Sequence, residues 1–115
     1  MPIIKTEFPG LLIFEPKIWG DERGYFFESY KKSVFRDAIG DVDFVQETES
    51  FSKKGVLRGL HYQTAPFAQA KLVRVNVGEV FDVAVDLRAD SKSVGRETGE
   101  GGLGKGWRSG GWAGR

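Results

Sequence analysis

The chain has no cysteine and a single histidine among its 115 residues. The absence of cysteine excludes disulfides, thiolate nucleophiles and cysteine-ligated zinc. A single histidine also cannot supply the cluster of histidines with a carboxylate that metal-binding jelly rolls use. The sequence therefore predicts no bound metal.

Long apolar runs and an excess of charge of one sign are missing as well. No apolar segment approaches the roughly 20 residues of a membrane span, and the start of the chain lacks the apolar core of a signal peptide. The net charge is +1, which argues against binding to nucleic acid or to a membrane surface through bulk charge. We therefore expect a soluble, cytoplasmic protein with neither of these partners.

The residues that are present predict one domain built from strands. The chain is 40% hydrophobic and 13% aromatic, which is enough for a sizeable core. Apolar and polar residues alternate over 71–77 and 80–87, and Gly78 predicts a tight turn joining two antiparallel strands. One short helix is predicted over about Lys32–Ile39, with Gly40 placed to end it. Many short strands with Gly and Pro turns are typical of an all-β sandwich or barrel.

The single histidine lies in the stretch Arg58-Gly59-Leu60-His61-Tyr62-Gln63, which has the character of a strand. Unperturbed imidazole titrates near ~6.5, so His61 beside cationic groups is a candidate general base at neutral pH. The alternative is an ordinary strand residue with satisfied hydrogen bonds. On a regular strand Arg58 and His61 face opposite sides, so a shared pocket requires a local distortion, for which Gly59 is the natural place.

Five segments occur in the order and spacing of one known family. They are Gly20–Tyr30, Phe44–Gln46, Arg58–Gln63, Lys71–Arg74 and Gly78–Asp86. From about Ile3 to Ser91 the chain resembles the dTDP-4-dehydrorhamnose 3,5-epimerases. The resemblance implies a double-stranded β-helix, or cupin-like jelly roll, with one short helix and an incomplete C-terminus. It also implies a homodimer and a dTDP-sugar substrate.

The implied reaction is the epimerisation of dTDP-4-dehydro-6-deoxy-D-glucose at C3 and C5, in dTDP-L-rhamnose biosynthesis. Both protons lie next to a carbonyl, so each can be removed to give an enolate and returned on the opposite face without any cofactor. The resemblance implies His61 as the base and Lys71 near the substrate oxygens, where it steadies the enolate. It implies Asp82 as the carboxylate that holds the imidazole tautomer, whereas Asp86 is interpreted as structural.

The resemblance also implies a set of substrate-binding residues, which comprises Arg23, Phe26, Glu28, Gln46, Arg58 and Lys71. The two arginines suit the diphosphate, because a guanidinium binds phosphate oxygens in pairs and stays charged. Phe26 and Glu28 would meet the nucleoside. The alternatives without a binding role are that Arg23 pairs with Asp21 or Glu22 across a turn, that Lys71 is a surface lysine and that Phe26 is a core residue.

Two features depart from the family pattern. After Gln46, the stretch Glu47-Thr48-Glu49 removes an amide donor that family members carry. From Gly95 to Arg115 there are 9 glycines in 21 residues without helical or alternating patterning, so we expect this segment to be disordered, because ordering glycines costs much backbone entropy. We interpret 95–115 as the product of a reading-frame change near Ser93–Glu97.

The expected organisation is therefore an N-terminal part of an epimerase jelly-roll domain at 1–94 and a Gly-rich, disordered tail at 95–115. The second half of the barrel, with the general acid of the family, is missing from this organisation. The sequence leaves open whether the chain is active and whether C3, C5 or both are epimerised. The alternatives are a related sugar-nucleotide 3-epimerase or ketoisomerase, and an inactive β-sandwich fragment that only associates with other chains.

Overall fold

The computed structural model describes residues 2–92, 94–103 and 109–113. Over these residues the chain forms short strands and one helix, which confirms the predicted all-β class. In chain order the elements are β1 (Ile3–Lys5), β2 (Leu11–Phe14), β3 (Ile18–Asp21), β4 (Gly24–Phe27), α1 (Lys32–Ile39), β5 (Ala70–Val73), β6 (Glu79–Val85), β7 (Glu97–Leu103) and β8 (Ser109–Ala113).

The strands form three antiparallel sheets. Their orders are β1-β2-β8-β5, β3-β4 and β6-β7. The predicted hairpin between the runs 71–77 and 80–87 is wrong, because β5 ends at Val73 and pairs with β8, while β6 pairs with β7. Alternation along a strand determines which side chains share a face, but it does not determine which strand lies alongside.

Strand β2 is the centre of the core, and all four of its residues are buried. Successive residues of a strand point to opposite faces, so β2 is covered on both sides. On one face Leu12 and Phe14 pack against Phe35 of α1, and the Phe14 and Phe35 rings stack with centroids 4.1 Å apart. On the other face Leu11 packs with Phe8 and with Ala84 of β6.

The helix confirms its predicted bounds, Lys32–Ile39. Phe35 is buried on the side that faces β2, with Ala38 and Ile39 half-buried beside it. Gly40 ends the helix with a φ of +93°, and its N–H donates to the Arg36 carbonyl at 2.9 Å. Glycine is favoured here because an L side chain rarely adopts a positive φ. No helix in the described part of the chain is long and apolar enough to cross a membrane.

The segment predicted to be disordered contains two strands. Glu97–Leu103 pairs with β6 over seven residues, and Ser109–Ala113 lies between β2 and β5. The expectation of disorder is therefore corrected for these two stretches, whereas 104–108 and 114–115 lie outside the described residues. The hydrogen bonds between strands join backbone groups and need no side chains. A glycine-rich segment can therefore pair with the free backbone N–H and C=O groups along the edges of β2, β5 and β6.

Candidate functional site

Arg23 lies in the tight turn between β3 and β4, where Asp21 and Gly24 are partners in the ladder. Its guanidinium donates to the Asp21 carboxylate, with Nη2 to Oδ2 at 2.6 Å and Nε to Oδ2 at 3.1 Å. This hydrogen bond holds the pKa of the Asp21 carboxyl below its usual value and raises the pKa of Arg23. Arg23 therefore pairs with Asp21, as the alternative interpretation of the sequence predicted. The guanidinium proposed to bind the diphosphate is hydrogen-bonded to this carboxylate.

Phe26 lies on β4 opposite Trp19 of β3, and the two ring centroids are 6.4 Å apart. The Phe26 side chain is 72% exposed, so the alternative that it is a core residue is wrong. The ammonium group of Lys17 lies 5.3 Å from the Trp19 ring centroid. Glu28 follows β4 directly and is exposed. The β3-β4 hairpin and the residue that follows it thus carry a guanidinium (Arg23), an aromatic ring (Phe26) and a carboxylate (Glu28) within a few residues of sequence.

Arg58 belongs to the irregular segment 41–69, which also contains Gln46. Its Nε donates to the Ser52 Oγ at 2.8 Å, and its Nη2 donates to the Phe51 carbonyl at 3.2 Å. Between these residues the chain turns at Gly55, whose φ is +84°. The sequence did not predict this arrangement, because nothing in the spacing of Ser52 and Arg58 marks a pair. Both Arg58 and Gln46 are exposed.

His61 does not lie in a strand, which corrects the prediction for 58–63. Gly59 has a φ of +132°, a conformation that interrupts a regular strand and that residues with a side chain rarely adopt. Gly59 thus has a backbone conformation unlike that of a strand, but the expected bulge within a strand is not formed, because 58–63 contains no strand. A Cβ on Gly59 would lie 3.8 Å from the His61 Nδ1, so the imidazole lies beside the backbone at this glycine. The ring is exposed.

Lys71 and Asp82 lie in different sheets. Lys71 is an exposed residue of β5, aligned with Trp112 of β8. Asp82 is half-buried on β6 and aligned with Glu100 of β7. Among the residues that the structure describes, no hydrogen bond or ion pair joins His61 to either of them. The three predicted catalytic residues therefore lie in separate parts of the described chain, with Lys71 on β5, Asp82 on β6 and His61 in the irregular segment.

No pattern in the sequence indicated one contact between the irregular segment and the β5-β6 connection. Asn76 donates through Nδ2 to the Glu49 Oε1 at 3.0 Å, and Arg74 donates through Nε to the Asn76 Oδ1 at 3.1 Å. Glu49 belongs to the stretch that departs from the family pattern. No local signal marks this pair, because the two residues are 27 positions apart.

The described residues contain no group of three or more His, Cys, Asp or Glu side chains arranged to hold a metal ion. The expectation that the protein uses neither a metal nor another cofactor stays a prediction. This prediction rests on the side chains available as metal ligands, since the sequence holds a single histidine and no cysteine.

The fold places the chain in the class of cupin-like jelly-roll proteins, and the chain forms part of such a jelly roll. The dTDP-4-dehydrorhamnose 3,5-epimerase of Bacillus anthracis superposes with a TM-score of 0.90 at 38% identity, covering 96% of this chain and 64% of that one. The dTDP-6-deoxy-D-glucose-3,5-epimerase of Legionella pneumophila superposes with a TM-score of 0.82 at 45% identity, covering 97% of this chain and 64% of that one. These similarities confirm the predicted fold.

Sequence comparison identifies the family. The sequence model of dTDP-4-dehydrorhamnose 3,5-epimerase matches residues 5–100. The enzyme of that name from Shigella flexneri is 61% identical over 100 residues, which are 86% of this chain and 55% of the relative. The chain belongs to the dTDP-4-dehydrorhamnose 3,5-epimerase family. It spans about half the length of the curated relatives it matches.

Proposed function

We propose that the chain is part of an isomerase that epimerises dTDP-4-dehydro-6-deoxy-D-glucose at C3 and C5 for dTDP-L-rhamnose biosynthesis. The observation that carries this proposal is the family match over residues 5–100, which includes every candidate site residue. Two solved relatives support the ligand class. The Legionella pneumophila enzyme is in complex with dTDP-4-keto-L-rhamnose, and the Bacillus anthracis enzyme has TDP and pyrophosphate bound.

In the proposed reaction, the His61 imidazole takes a proton from the carbon next to the keto group. The electron pair of the broken C–H bond forms a C=C bond, and the keto oxygen becomes the enolate oxygen. Lys71 supplies positive charge near that oxygen, and Asp82 stabilises the imidazolium. A proton returned to the opposite face inverts the centre and restores the ketone, so the reaction consumes no oxidant or reductant.

Substrate binding is assigned to the exposed candidate residues. Arg23 and Arg58 are proposed for the diphosphate, because each keeps a guanidinium at the surface that, among the described residues, is held by acceptors near in sequence. The exposed ring of Phe26 is suited to stacking on thymine. Glu28 and Gln46 are proposed to hydrogen-bond to the nucleoside or sugar.

We further propose that the 115-residue chain is inactive by itself. His61 is exposed, and within the described residues no hydrogen bond or ion pair joins it to Lys71 or Asp82. Abstraction of a proton next to a ketone needs preorganised charge stabilisation, which a solvated site supplies poorly. The homodimer and the cytoplasmic location expected from the sequence stay predictions.

The test is deuterium incorporation from solvent at C3 and C5 of the 4-keto sugar nucleotide. Three proteins are compared, namely the 115-residue chain, a chimera of residues 1–92 with the C-terminal half of the Shigella flexneri relative, and the same chimera with His61→Ala. We expect exchange only in the intact chimera, and His61→Ala should lower its rate by ~10²–10⁴-fold because a positioned base is lost.

Each other outcome has a specific meaning. Rapid exchange by the 115-residue chain would contradict its proposed inactivity, and unchanged exchange after His61→Ala would contradict the assignment of the base. Exchange at C3 alone would identify a 3-epimerase. A chimera that folds and binds TDP without exchange at either carbon would refute the epimerase proposal.

A further inference from the structure

Strand β8 lies between two strands that do not pair with each other in the described part of the chain. It pairs with β2 on one side, over Leu11–Phe14, and with β5 on the other, over Ala70–Val73. β5 is the last strand of this sheet, so among the described residues β8 is its one strand partner. The place of β5 in the sheet thus involves a segment whose glycine content predicted disorder.

β5 also contacts the core through a side chain. Leu72 is half-buried and packs against the cluster of Leu12, Phe14 and Phe35. Leu12 and Leu72 are both aligned with Gly111 of β8, so the three residues form one row across the sheet. Neighbouring strands lie about 4.8 Å apart, so β8 holds β2 and β5 roughly 10 Å from each other. A glycine in the middle of the row places no side chain between the two leucines.

The direction of the backbone N–H groups of β2 determines which of them face β8. The Glu15 N–H, directly after β2, donates to the Pro2 carbonyl at 3.0 Å, on the side of β1. Successive N–H groups of a strand point to opposite sides, so the Ile13 N–H also faces β1 and the Leu12 N–H faces β8. Leu12 and its aligned residue Gly111 therefore exchange hydrogen bonds as a pair.

The same alternation continues along β8 into β5. Since the Gly111 N–H faces β2, the Gly110 N–H faces β5, where Gly110 is aligned with Val73. The N–H groups of Lys71 and Val73 then point to β8, whereas that of Leu72 points to the edge of the sheet. The two central positions of β8 are glycines, so the centre of this strand offers only backbone groups to its neighbours.

We propose that β2 and β5 form a slot that binds an extended segment through its backbone, and that residues 109–113 of the same chain are its occupant. A strand added between two others gains main-chain hydrogen bonds on both sides, and these require no particular side chains. The glycine-rich segment thereby attaches β5 to the core strand β2. This inference concerns the fold and does not depend on the proposed enzymatic function.

Cysteine crosslinking tests which segment fills the slot. The chain has no cysteine, so an engineered pair supplies all of its thiols. Ala70 is aligned with Ala113, which brings the two within the span of a disulfide. We expect Ala70→Cys with Ala113→Cys to form a disulfide within one chain in most molecules after mild oxidation. The matched control is Ala70→Cys with Ser109→Cys, where four residues of strand displace the second thiol by roughly 13 Å.

Mass spectrometry at low protein concentration distinguishes the outcomes. No disulfide in the aligned pair, or equal disulfide formation in the aligned and control pairs, would overturn the proposed register. A disulfide that joins two chains would place the segment of a second copy in the slot and would overturn the assignment to the same chain.

Amide hydrogen exchange of the 115-residue chain tests whether the backbone pairing holds β5. Gly110→Pro removes the N–H that faces β5, whereas Gly110→Ala keeps it. In Gly110→Pro we expect exchange at Lys71 and Val73 to accelerate by roughly ten-fold or more, because their pairing with β8 is broken. The Ile13 amide, which faces β1, is the internal reference. Gly110→Ala should leave all three amides within about two-fold of the unmodified chain.

Unchanged exchange at Lys71 and Val73 in Gly110→Pro would overturn the proposal, because the packing of Leu72 would then be enough to hold β5. Equal acceleration in Gly110→Ala would overturn it too. If Gly110→Pro unfolds the whole chain, the unmodified protein decides the question. Its Lys71 and Val73 amides should exchange at least about ten-fold more slowly than unprotected amides, and the rates of unprotected amides at both would refute the pairing.

Discussion

At the scale of single residues, Arg23 shows how the structure qualifies a role taken from the family. Its guanidinium is fully charged and exposed, as a phosphate-binding arginine requires, but Asp21 already accepts two of its N–H groups. A diphosphate at this position would have to displace a carboxylate that competes for the same donors. The affinity for a nucleoside diphosphate therefore depends on Asp21 as well as on Arg23.

This competition predicts that Asp21→Asn strengthens the binding of TDP. The substitution removes a negative charge beside the guanidinium and weakens the internal pair, so we expect the Kd to fall by about two- to five-fold at low salt. Isothermal titration calorimetry measures the change. Asp43→Asn is the control, because it removes another exposed carboxylate, which pairs with Lys32 instead. An equal gain in both variants would point to net charge, and no gain in Asp21→Asn would argue against Arg23 as a phosphate ligand.

The pair between Lys32 and Asp43 predicts a measurable titration. The Lys32 Nζ lies 2.6 Å from the Asp43 Oδ1, and this hydrogen bond lowers the pKa of Asp43 below its usual 3.8. The pair therefore contributes its stabilisation fully above pH 3.8 and loses it as the pH falls through the lowered pKa of Asp43. Carbon-detected NMR of the carboxyl group should show the low pKa, and in Lys32→Gln it should return toward the usual value. An unchanged pKa in Lys32→Gln would contradict the pairing.

At the scale of elements, the helix is attached to the sheet by aromatic packing. Phe35 is 2% exposed and stacks on Phe14, while the ring of Tyr30 lies 4.8 Å from it and that of Phe44 lies 6.4 Å away. The helix has eight residues, too few to be stable in isolation. Its stability in the protein thus depends on this contact.

We predict that Phe35→Ala destabilises the chain by about 3–5 kcal/mol, because it removes a buried ring and leaves a cavity against β2. Urea unfolding followed by circular dichroism gives the change in unfolding free energy. Phe51→Ala is the matched control, since this ring is 85% exposed and its loss should change stability by less than about 0.5 kcal/mol. Similar losses in the two variants would mean that the helix does not pack on β2 as described.

At the scale of the whole molecule, much apolar surface remains uncovered. Phe81, Val83, Val85 and Leu87 share one face of the run 80–87, because successive residues of a strand point to opposite sides. Phe81 is 73% and Leu87 60% exposed, while the opposite face holds the buried Ala84 and Asp86. The face with the carboxylates is therefore the inner one. Trp19 and Tyr25 of the β3-β4 hairpin add exposed aromatic surface, at 52% and 67%.

Exposed apolar surface of this kind predicts self-association. We expect dimers or larger species in light scattering at roughly tens of micromolar. Phe81→Ser combined with Leu87→Ser should shift the distribution toward the monomer, whereas Val45→Ser, at a single apolar residue that is 92% exposed, should not. A monodisperse monomer of the unmodified chain over this range would contradict the prediction.

Features that depend on neighbouring residues and on ordered motifs could be predicted from the sequence. The helix could be predicted over about Lys32–Ile39 because Gly40, which ends it, is a local signal. Five motifs in order were enough to indicate the family. Gly59 has a positive φ, which only glycine readily adopts, but it does not lie in a strand.

The tertiary structure alone decided which strands pair, which face of β6 is buried and where the charged side chains find partners. The pairing of β5 with β8 and the contact of Arg88 with the Pro9 carbonyl join residues far apart in the chain. The two Asp-x-Arg pairs, Asp21 with Arg23 and Asp86 with Arg88, are indistinguishable as patterns, and yet the Asp21 carboxylate is exposed and the Asp86 carboxylate is buried. Burial depends on what the rest of the chain packs against a residue, and no local pattern contains that information.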